Sequence, residues 1–229
     1  MFKRDYFMRQ LEQLTVTLHR ILFNKEHIPL SQAQPLLDEA SRHLLGLNVK
    51  SLQALSSKDI LELLTFQGHL DPAKTMVISD LFTGQGDLLR QHEEAEDDAG
   101  ANEAYRSYLK SLDLLLLFAL PPNTDDPDVA REAAQRITQC LERLQPWVLP
   151  ADMKLRLFDY YDLQGDFAKA EDMLFHYMED HKELVSIAVA QGVLFYERLL
   201  GKDEDQLQAG NFSREEVQEG LCLLKEKLS

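Results

Sequence analysis

Large apolar residues recur along almost the whole chain at intervals of three and four residues, which is the period of an amphipathic α-helix. No segment shows the strict alternation of apolar and polar residues that is typical of a half-buried strand. The pattern therefore predicts an all-α fold built from antiparallel helix hairpins. The first apolar stripe consists of Phe2, Tyr6, Leu11, Leu14, Leu18, Ile21 and Leu22.

Residues that favour helix starts separate these stripes. Ser56 with Asp59, and Ser213 with Glu216, have the spacing of a capping box, in which two side chains cap each other's backbone N–H groups. Asp71 stands directly before a proline, and proline is favoured in the first turn of a helix. These signals predict helices that begin near residues 56, 71 and 213.

Two stretches predict irregular connections between helices. Residues 121–128 contain three prolines, and residues 201–213 combine glycine with short polar residues. A chain of 229 residues is long enough for one hydrophobic core. We predict a single helical domain over 1–229, or alternatively an N-terminal helical region over 1–120 and a C-terminal helical region over 126–229, joined by the linker.

The stretch GDFAKAEDML, residues 165–174, interrupts a helical pattern and restarts it at once. A tight turn between antiparallel helices needs a residue that tolerates positive φ, so we expect Gly165 at the turn. Asp166 then stands at the N-cap of the next helix. Ala170 lies one turn further, where a small side chain allows a partner helix to approach closely. The stretch therefore predicts a helix hairpin.

Residues 157–180, LFDYYDLQGDFAKAEDMLFHYMED, resemble a tetratricopeptide repeat. Phe158 departs from that repeat, which usually has a small residue there. The whole chain is also similar to an uncharacterised bacterial family of tetratricopeptide-like helical proteins, through KRDYFMRQLEQL, GDFAKAEDML and FYERLL. The resemblance implies helix hairpins stacked as a right-handed array, and a bacterial source. It implies no activity.

Charge and composition exclude several classes of protein. The formal charge of −15 disfavours nucleic acid as a partner, because the phosphate backbone is itself negative. The longest apolar run, Leu114–Leu120, is too short to cross a membrane, and the N-terminus has no signal-peptide pattern. Cys140 and Cys222 are expected to be unpaired, small, buried residues in a reducing compartment. We predict a cytoplasmic protein with no membrane partner.

No catalytic motif stands out, and we predict a protein that is not an enzyme and has no cofactor or metal. GQGD at 84–87 lacks the preceding strand that a phosphate loop needs. His176 and His181 lie five residues apart, on different helix faces. A sensor or enzyme with a pocket between helices stays open as an alternative, with His176, Tyr160, Tyr161 and Tyr177 as polar groups for it.

One acidic stripe is the best candidate for a binding surface. Asp152, Asp159 and Asp162 recur at helical spacing, with Leu155 among them. In a tetratricopeptide-like stack the first helix of each repeat lines a groove, so the resemblance places these residues there. The stripe is either a solvated helix face or a groove for a basic protein segment. We therefore predict a protein-interaction scaffold with a mostly acidic groove. Its partner is an unknown protein or peptide, expected to be basic and not acidic.

Overall fold

The computed structural model describes residues 30–91, 98–121, 123 and 126–228, which contain eleven α-helices. The all-α prediction is confirmed. The predicted N-terminal stripe lies outside the described residues. The helices are Leu30–Leu45 (α1), Val49–Ala54 (α2), Ser57–Leu63 (α3), Pro72–Gln91 (α4), Asp98–Ala119 (α5), Pro127–Leu144 (α6), Ala151–Gln164 (α7), Phe167–Asp180 (α8), Val185–Leu199 (α9), Glu204–Ala209 (α10) and Arg214–Leu228 (α11).

A short β-hairpin was not expected from the sequence. Strands Thr65–Phe66 (β1) and His69–Leu70 (β2) pair in an antiparallel register. The two turn residues, Gln67 and Gly68, have φ of 51° and 78°, as the commonest tight hairpin turns require. Strands of two residues are too short to produce a pattern of alternation. Glutamine seldom has positive φ, so its presence does not predict a turn of this kind.

The described chain divides into two compact units. Residues up to Val148 form the first unit and residues from Leu149 form the second. The proline-rich stretch 121–128 connects α5 to the start of α6, and these two helices pack against each other within the first unit. The junction between the units therefore lies at 148–149, not in the stretch 121–128 that the two-region alternative proposed.

The first unit is built around α4, which packs against α5. The contact is close: the ring of Tyr108 lies directly over Gly86, where a Cβ would stand 2.5 Å from the nearest ring carbon. The sequence GQGD is thus included in a helix and provides a packing surface for that ring. Arg136 and Arg143 of α6 bind carboxylates of α4 at 3.0 and 2.8 Å. The apolar contacts and these ion pairs together hold α4, α5 and α6 in place.

The two cysteines lie in different environments. Cys140 is buried, and its Sγ lies 3.3 Å from Ser111 Oγ. Burial raises the pKa of the Cys140 thiol, which makes it a poor nucleophile. Cys222 is exposed, so the expectation that both thiols are buried is wrong for this residue. Neither cysteine forms a disulfide.

The second unit contains the hairpin of α7 and α8, with α9 packed on α8 and on α11. Its core includes Tyr196, whose ring covers Gly220 so closely that a Cβ there would lie 2.4 Å away. The phenol of Tyr196 donates a hydrogen bond to Glu171 of α8. Burial raises the pKa of Glu171, although that hydrogen bond acts in the opposite direction. A 3₁₀ turn, Lys182–Leu184, joins α8 to α9.

Two of the predicted helix starts are capped as their sequences indicate. Ser56 Oγ accepts a hydrogen bond from the Asp59 N–H, and the Asp59 carboxylate accepts one from the Ser56 N–H. Ser213 and Glu216 make the same reciprocal pair at 3.2 and 2.7 Å. The connection 201–213, by contrast, contains a further helix, α10, that the sequence did not predict.

Candidate functional site

The acidic stripe lies on one side of α7. Spacings of three and four residues place Asp152, Leu155, Asp159 and Asp162 on the same face. Asp152 and Asp159 are exposed, whereas Leu155 and Asp162 are half-buried. Leu155 packs against the core of the second unit, and the Asp152 carboxylate lies 3.7 Å from the Arg156 guanidinium. The stripe therefore has an inner edge against the protein and an outer edge in solvent.

Side chains of α9 reach this inner edge. Asp162 Oδ2 accepts a hydrogen bond from Arg198 Nη2 at 2.6 Å, and the rings of Phe158 and Phe195 lie 5.3 Å apart between centroids. The two contacts join positions four residues apart on α7 and three residues apart on α9, so the C-terminal ends of the two helices lie next to each other. The bulky Phe158 thus has a packing partner in the second unit.

Asp159 differs from Asp162 in having no cationic partner among the residues that the structure describes. The protein around its carboxyl displaces part of its hydration. This partial burial, followed by the negative charge of Asp162, raises the pKa of Asp159 above its usual value. Arg198 pairs with Asp162, and Asp159 has no such partner among the described residues. A cation brought close to Asp159 would be attracted to it.

Exposed apolar side chains lie on the same two helices as the aspartates and Arg198. Leu163 of α7 is 50% exposed and lies one turn beyond Asp159. On α9, Ile187 and Leu194 are 47% and 67% exposed and lie seven residues apart, on one face of the helix. Sequence analysis missed these residues because apolar periodicity marks a helix face without showing whether another helix covers it. The α7–α9 surface is defined by Asp159, Asp162, Leu163, Ile187, Leu194 and Arg198.

The turn that follows α7 contains the predicted glycine. Gly165 ends α7 with φ of 79°, and its N–H donates to the Asp162 carbonyl at 3.1 Å. Asp166 stands at the N-cap of α8, but its carboxylate makes no capping hydrogen bond. It accepts a hydrogen bond from Lys169 Nζ at 2.9 Å instead. The glycine therefore has its expected conformation, and the aspartate has the expected position with a different partner.

A second glycine completes the start of α8. The carbonyl oxygen of Gly210 accepts a hydrogen bond from the Ala168 N–H at 3.1 Å, so a distant loop caps the helix in place of the Asp166 side chain. A Cβ at Gly210 would lie 2.2 Å from the ring of Phe167. Ala170, the small residue predicted at a helix contact, is fully buried. This packing fixes the hairpin that carries the α7–α9 surface.

The polar groups considered for an enclosed site have separate environments. The rings of Tyr160 and Tyr161 lie 5.4 Å apart, and burial raises the pKa of Tyr160 to about 12. Tyr177 is buried beside His181, with ring centroids 5.4 Å apart, whereas His176 is exposed. Within the described stretches of the chain, no group of three or more His, Cys, Asp or Glu residues is placed to hold a metal ion.

Comparisons with known proteins place the chain in a family. No curated protein and no solved structure matches it. None of the helices that the structure describes is both long and apolar enough to span a lipid bilayer. A family model described as a family of unknown function, DUF6483, matches residues 1–229. The chain therefore belongs to the DUF6483 family.

Proposed function

We propose that this protein is a non-enzymatic protein-interaction module, and that its α7–α9 surface binds a basic segment of another protein. The observation that carries the proposal is Asp159, an acid without a cationic partner among the described residues, together with exposed apolar side chains on α7 and α9. A protein partner with both a cationic and an apolar side chain matches both features. Water or a small inorganic cation matches only the acid.

The apolar portion of the surface favours a macromolecular partner. Leu163, Ile187 and Leu194 leave large apolar areas in water, and covering such areas with another apolar surface is favourable. Single exposed apolar residues are common on proteins, but Leu163 follows Asp159 by one turn, and Ile187 and Leu194 share one face of the helix that binds Asp162. Protein interfaces combine these features, with an apolar centre and charged residues that select the partner.

The net charge of the second unit favours a positively charged partner. Residues 149–229 contain 17 aspartates and glutamates against nine lysines and arginines. A basic segment is therefore attracted over some distance before it makes contact, and it associates faster than a neutral one. An acidic partner is repelled both by this field and locally by Asp159.

The same proposal includes a tetratricopeptide-like stack for α7, α8 and α9 in a cytoplasmic protein of bacterial origin. Support for the stack comes from α8 packing against both α7 and α9, and from the contact between the C-terminal ends of α7 and α9. Stacked hairpins present the first helix of each pair on one extended surface, which other proteins use for binding. The proposal assigns this position to the α7–α9 surface.

The test is a comparison of proteins captured from a bacterial lysate by matched baits. We expect Asp159→Lys and Leu194→Glu each to lose a partner that the wild-type chain captures. Asp172→Lys, which reverses an exposed charge on α8, should retain it. Far-UV circular dichroism should show the same helical content in all four proteins. The proposal is wrong if the captured segment is acidic, or if Asp159→Lys and Asp172→Lys have equal effects.

A further inference from the structure

We infer that Arg198 is an intramolecular competitor, which occupies on Asp162 the position that an arginine of an amphipathic partner helix takes in the complex. The inference rests on the proposed function. It adds that the partner binds through an arginine, that the partner segment is helical, and that a contact within the protein opposes binding. Its basis is the contact of the Arg198 guanidinium with Asp162, the neighbouring Asp159, and the exposed apolar residues of α9.

The ion pair between Arg198 and Asp162 is asymmetric. The Asp162 side chain is 14% exposed, whereas that of Arg198 is 54% exposed. Among the described residues, the guanidinium makes no further hydrogen bond, and its carbon lies 5.8 Å from the centroid of the Phe195 ring. Arg198 can therefore swing into solvent while Asp162, Phe195 and the core beneath them stay in place. Asp162, the less exposed member, needs a cationic partner, and a second guanidinium can take the place of Arg198.

A partner's arginine gains more at this position than Arg198 loses. Asp159 lies one turn before Asp162 on the same helix, and it has no cationic partner among the described residues. A guanidinium has five N–H donors in one plane, so it can bridge two carboxylates and still stack on the Phe195 ring. The compact ammonium group of a lysine lacks this geometry. The surface therefore favours arginine over lysine.

The apolar residues of α9 indicate a helical partner. Ile187 and Leu194 are two turns apart, and Arg198 follows Leu194 by one turn, so the three form a stripe along the helix. An amphipathic helix that lies along this stripe presents its own apolar residues at the same spacing. Its arginine then reaches the aspartates where Arg198 now lies. An extended segment, with side chains alternating between two faces, matches this spacing poorly.

The probe is an alanine-based helical peptide with two leucines seven positions apart and one arginine a turn beyond the second. A second peptide has citrulline, a neutral isostere, in place of the arginine. Binding is followed by amide shifts of Asp159 and Leu194 in ¹H–¹⁵N NMR titrations, which detect millimolar affinities. The protein variants are Arg198→Gln, Asp159→Asn and Arg131→Gln. The last removes an exposed, ion-paired arginine from α6 and matches the charge change of Arg198→Gln.

We expect Arg198→Gln to bind the arginine peptide about two- to fivefold more tightly than the wild-type chain, because the exposed Arg198 guanidinium no longer competes for Asp162. Arg131→Gln should bind it as the wild type does, and the citrulline peptide should not distinguish Arg198→Gln from wild type. If Arg131→Gln tightens binding equally, net charge explains the effect and the inference fails. It also fails if Arg198→Gln binds neither peptide in the millimolar range.

The two proposals fail in different ways. If Asp159→Asn weakens binding of the arginine peptide but Arg198→Gln leaves it unchanged or weakens it, the surface binds cations without an internal competitor. The proposed function then stands and this inference falls. If neither change affects binding, and no shifts occur at Asp159 or Leu194, both proposals are wrong.

Discussion

The contact between Gly210 and the start of α8 leads to a specific test of the second unit: Gly210→Ala should destabilise it by overpacking. The added Cβ would lie 2.2 Å from the Phe167 ring and 2.5 Å from the carbonyl oxygen of Gly165. Both distances are far below van der Waals contact. The ring is buried and the carbonyl belongs to the turn backbone, so neither can move aside without disturbing its neighbours.

Two opposing effects determine the size of the loss. Overpacking typically costs about 1–3 kcal/mol. Alanine also restricts the unfolded chain and thereby stabilises by about 0.4–1 kcal/mol wherever its backbone conformation is allowed. Gly210 has φ of −88°, a value open to alanine, so this gain applies. Because a backbone oxygen is one of the two obstacles, we expect the overpacking to prevail, with a net loss of about 1–2 kcal/mol.

The measurements are urea unfolding followed by circular dichroism and hydrogen exchange at the Ala168 amide, whose N–H donates to Gly210. Both the unfolding midpoint and the protection of that amide should fall. In a Phe167→Leu background the cost should shrink, because one of the two obstacles is gone, but should not vanish. A Gly210→Ala protein that is as stable as wild type, with Ala168 equally protected, would refute the packing described for this turn.

Gly165→Ala provides a contrast in mechanism. No atom lies closer than 4.0 Å to the position of its Cβ, but its φ of 79° is unfavourable for alanine. We expect a loss of about 1 kcal/mol from backbone strain alone. Gly165→Asn should lose less, because asparagine tolerates the left-handed conformation. Asparagine at Gly210 should bring no such relief, since the obstacle there is steric. A larger loss for Asn than for Ala at Gly165 would contradict this distinction.

Three further predictions concern packing, pH and thiol reactivity. Ala170→Leu should lose about 1–3 kcal/mol of unfolding free energy, because it adds volume at a fully buried position. The control is Lys169→Leu, which removes only an exposed ion pair. It should lose no more than about 1 kcal/mol in the same urea unfolding experiment. Burial raises the pKa of Glu171, so its ionisation disfavours the folded state; stability from this group is complete below its unfolded value near 4.5 and is lost as pH rises through the folded value. Glu171→Gln should therefore gain stability relative to wild type at pH 7, the gain should shrink towards pH 4, and a gain that grows on acidification would contradict the sign. Mass spectrometry after brief alkylation of the folded protein should find one label, on Cys222. A second label, on Cys140, should appear only after denaturation. Equal labelling rates of the two thiols would contradict the burial of Cys140.

Features that depend on neighbouring residues could be predicted from the sequence. The capping pairs at Ser56 and Ser213 span three residues, and the positive φ of Gly165 follows from the need for a tight turn. Helical period alone was enough for the all-α fold, because apolar stripes cover most of the chain. The hairpin at Thr65–Leu70 escaped prediction because each of its strands has only two residues. The short helix α10 escaped because polar residues and glycines surround it.

Features that depend on distant residues could not be predicted in this way. The start of α8 lacks the side-chain cap expected from Asp166, and a carbonyl more than forty positions later takes over that role. Asp162 meets Arg198, 36 positions away, and nothing near either residue indicates the pairing. Sequence spacing could place three aspartates on one helix face. It could not indicate which of them would be neutralised.

The difference between the aspartates changes the interpretation of the acidic stripe. With all three acids equivalent, the stripe would attract any cation, and its most economical interpretation would be a solvated helix face. The fold instead pairs Asp162 with Arg198 and leaves Asp159, among the described residues, without a cationic partner, one turn before the exposed Leu163. A surface with one free acid, one occupied acid and apolar borders discriminates among cations by shape as well as charge. If the surface binds a partner as proposed, that partner must be a better ligand for Asp162 than Arg198 is. Competition by Arg198 would keep weakly binding cations off this surface. The net negative charge of the protein would otherwise attract many basic segments.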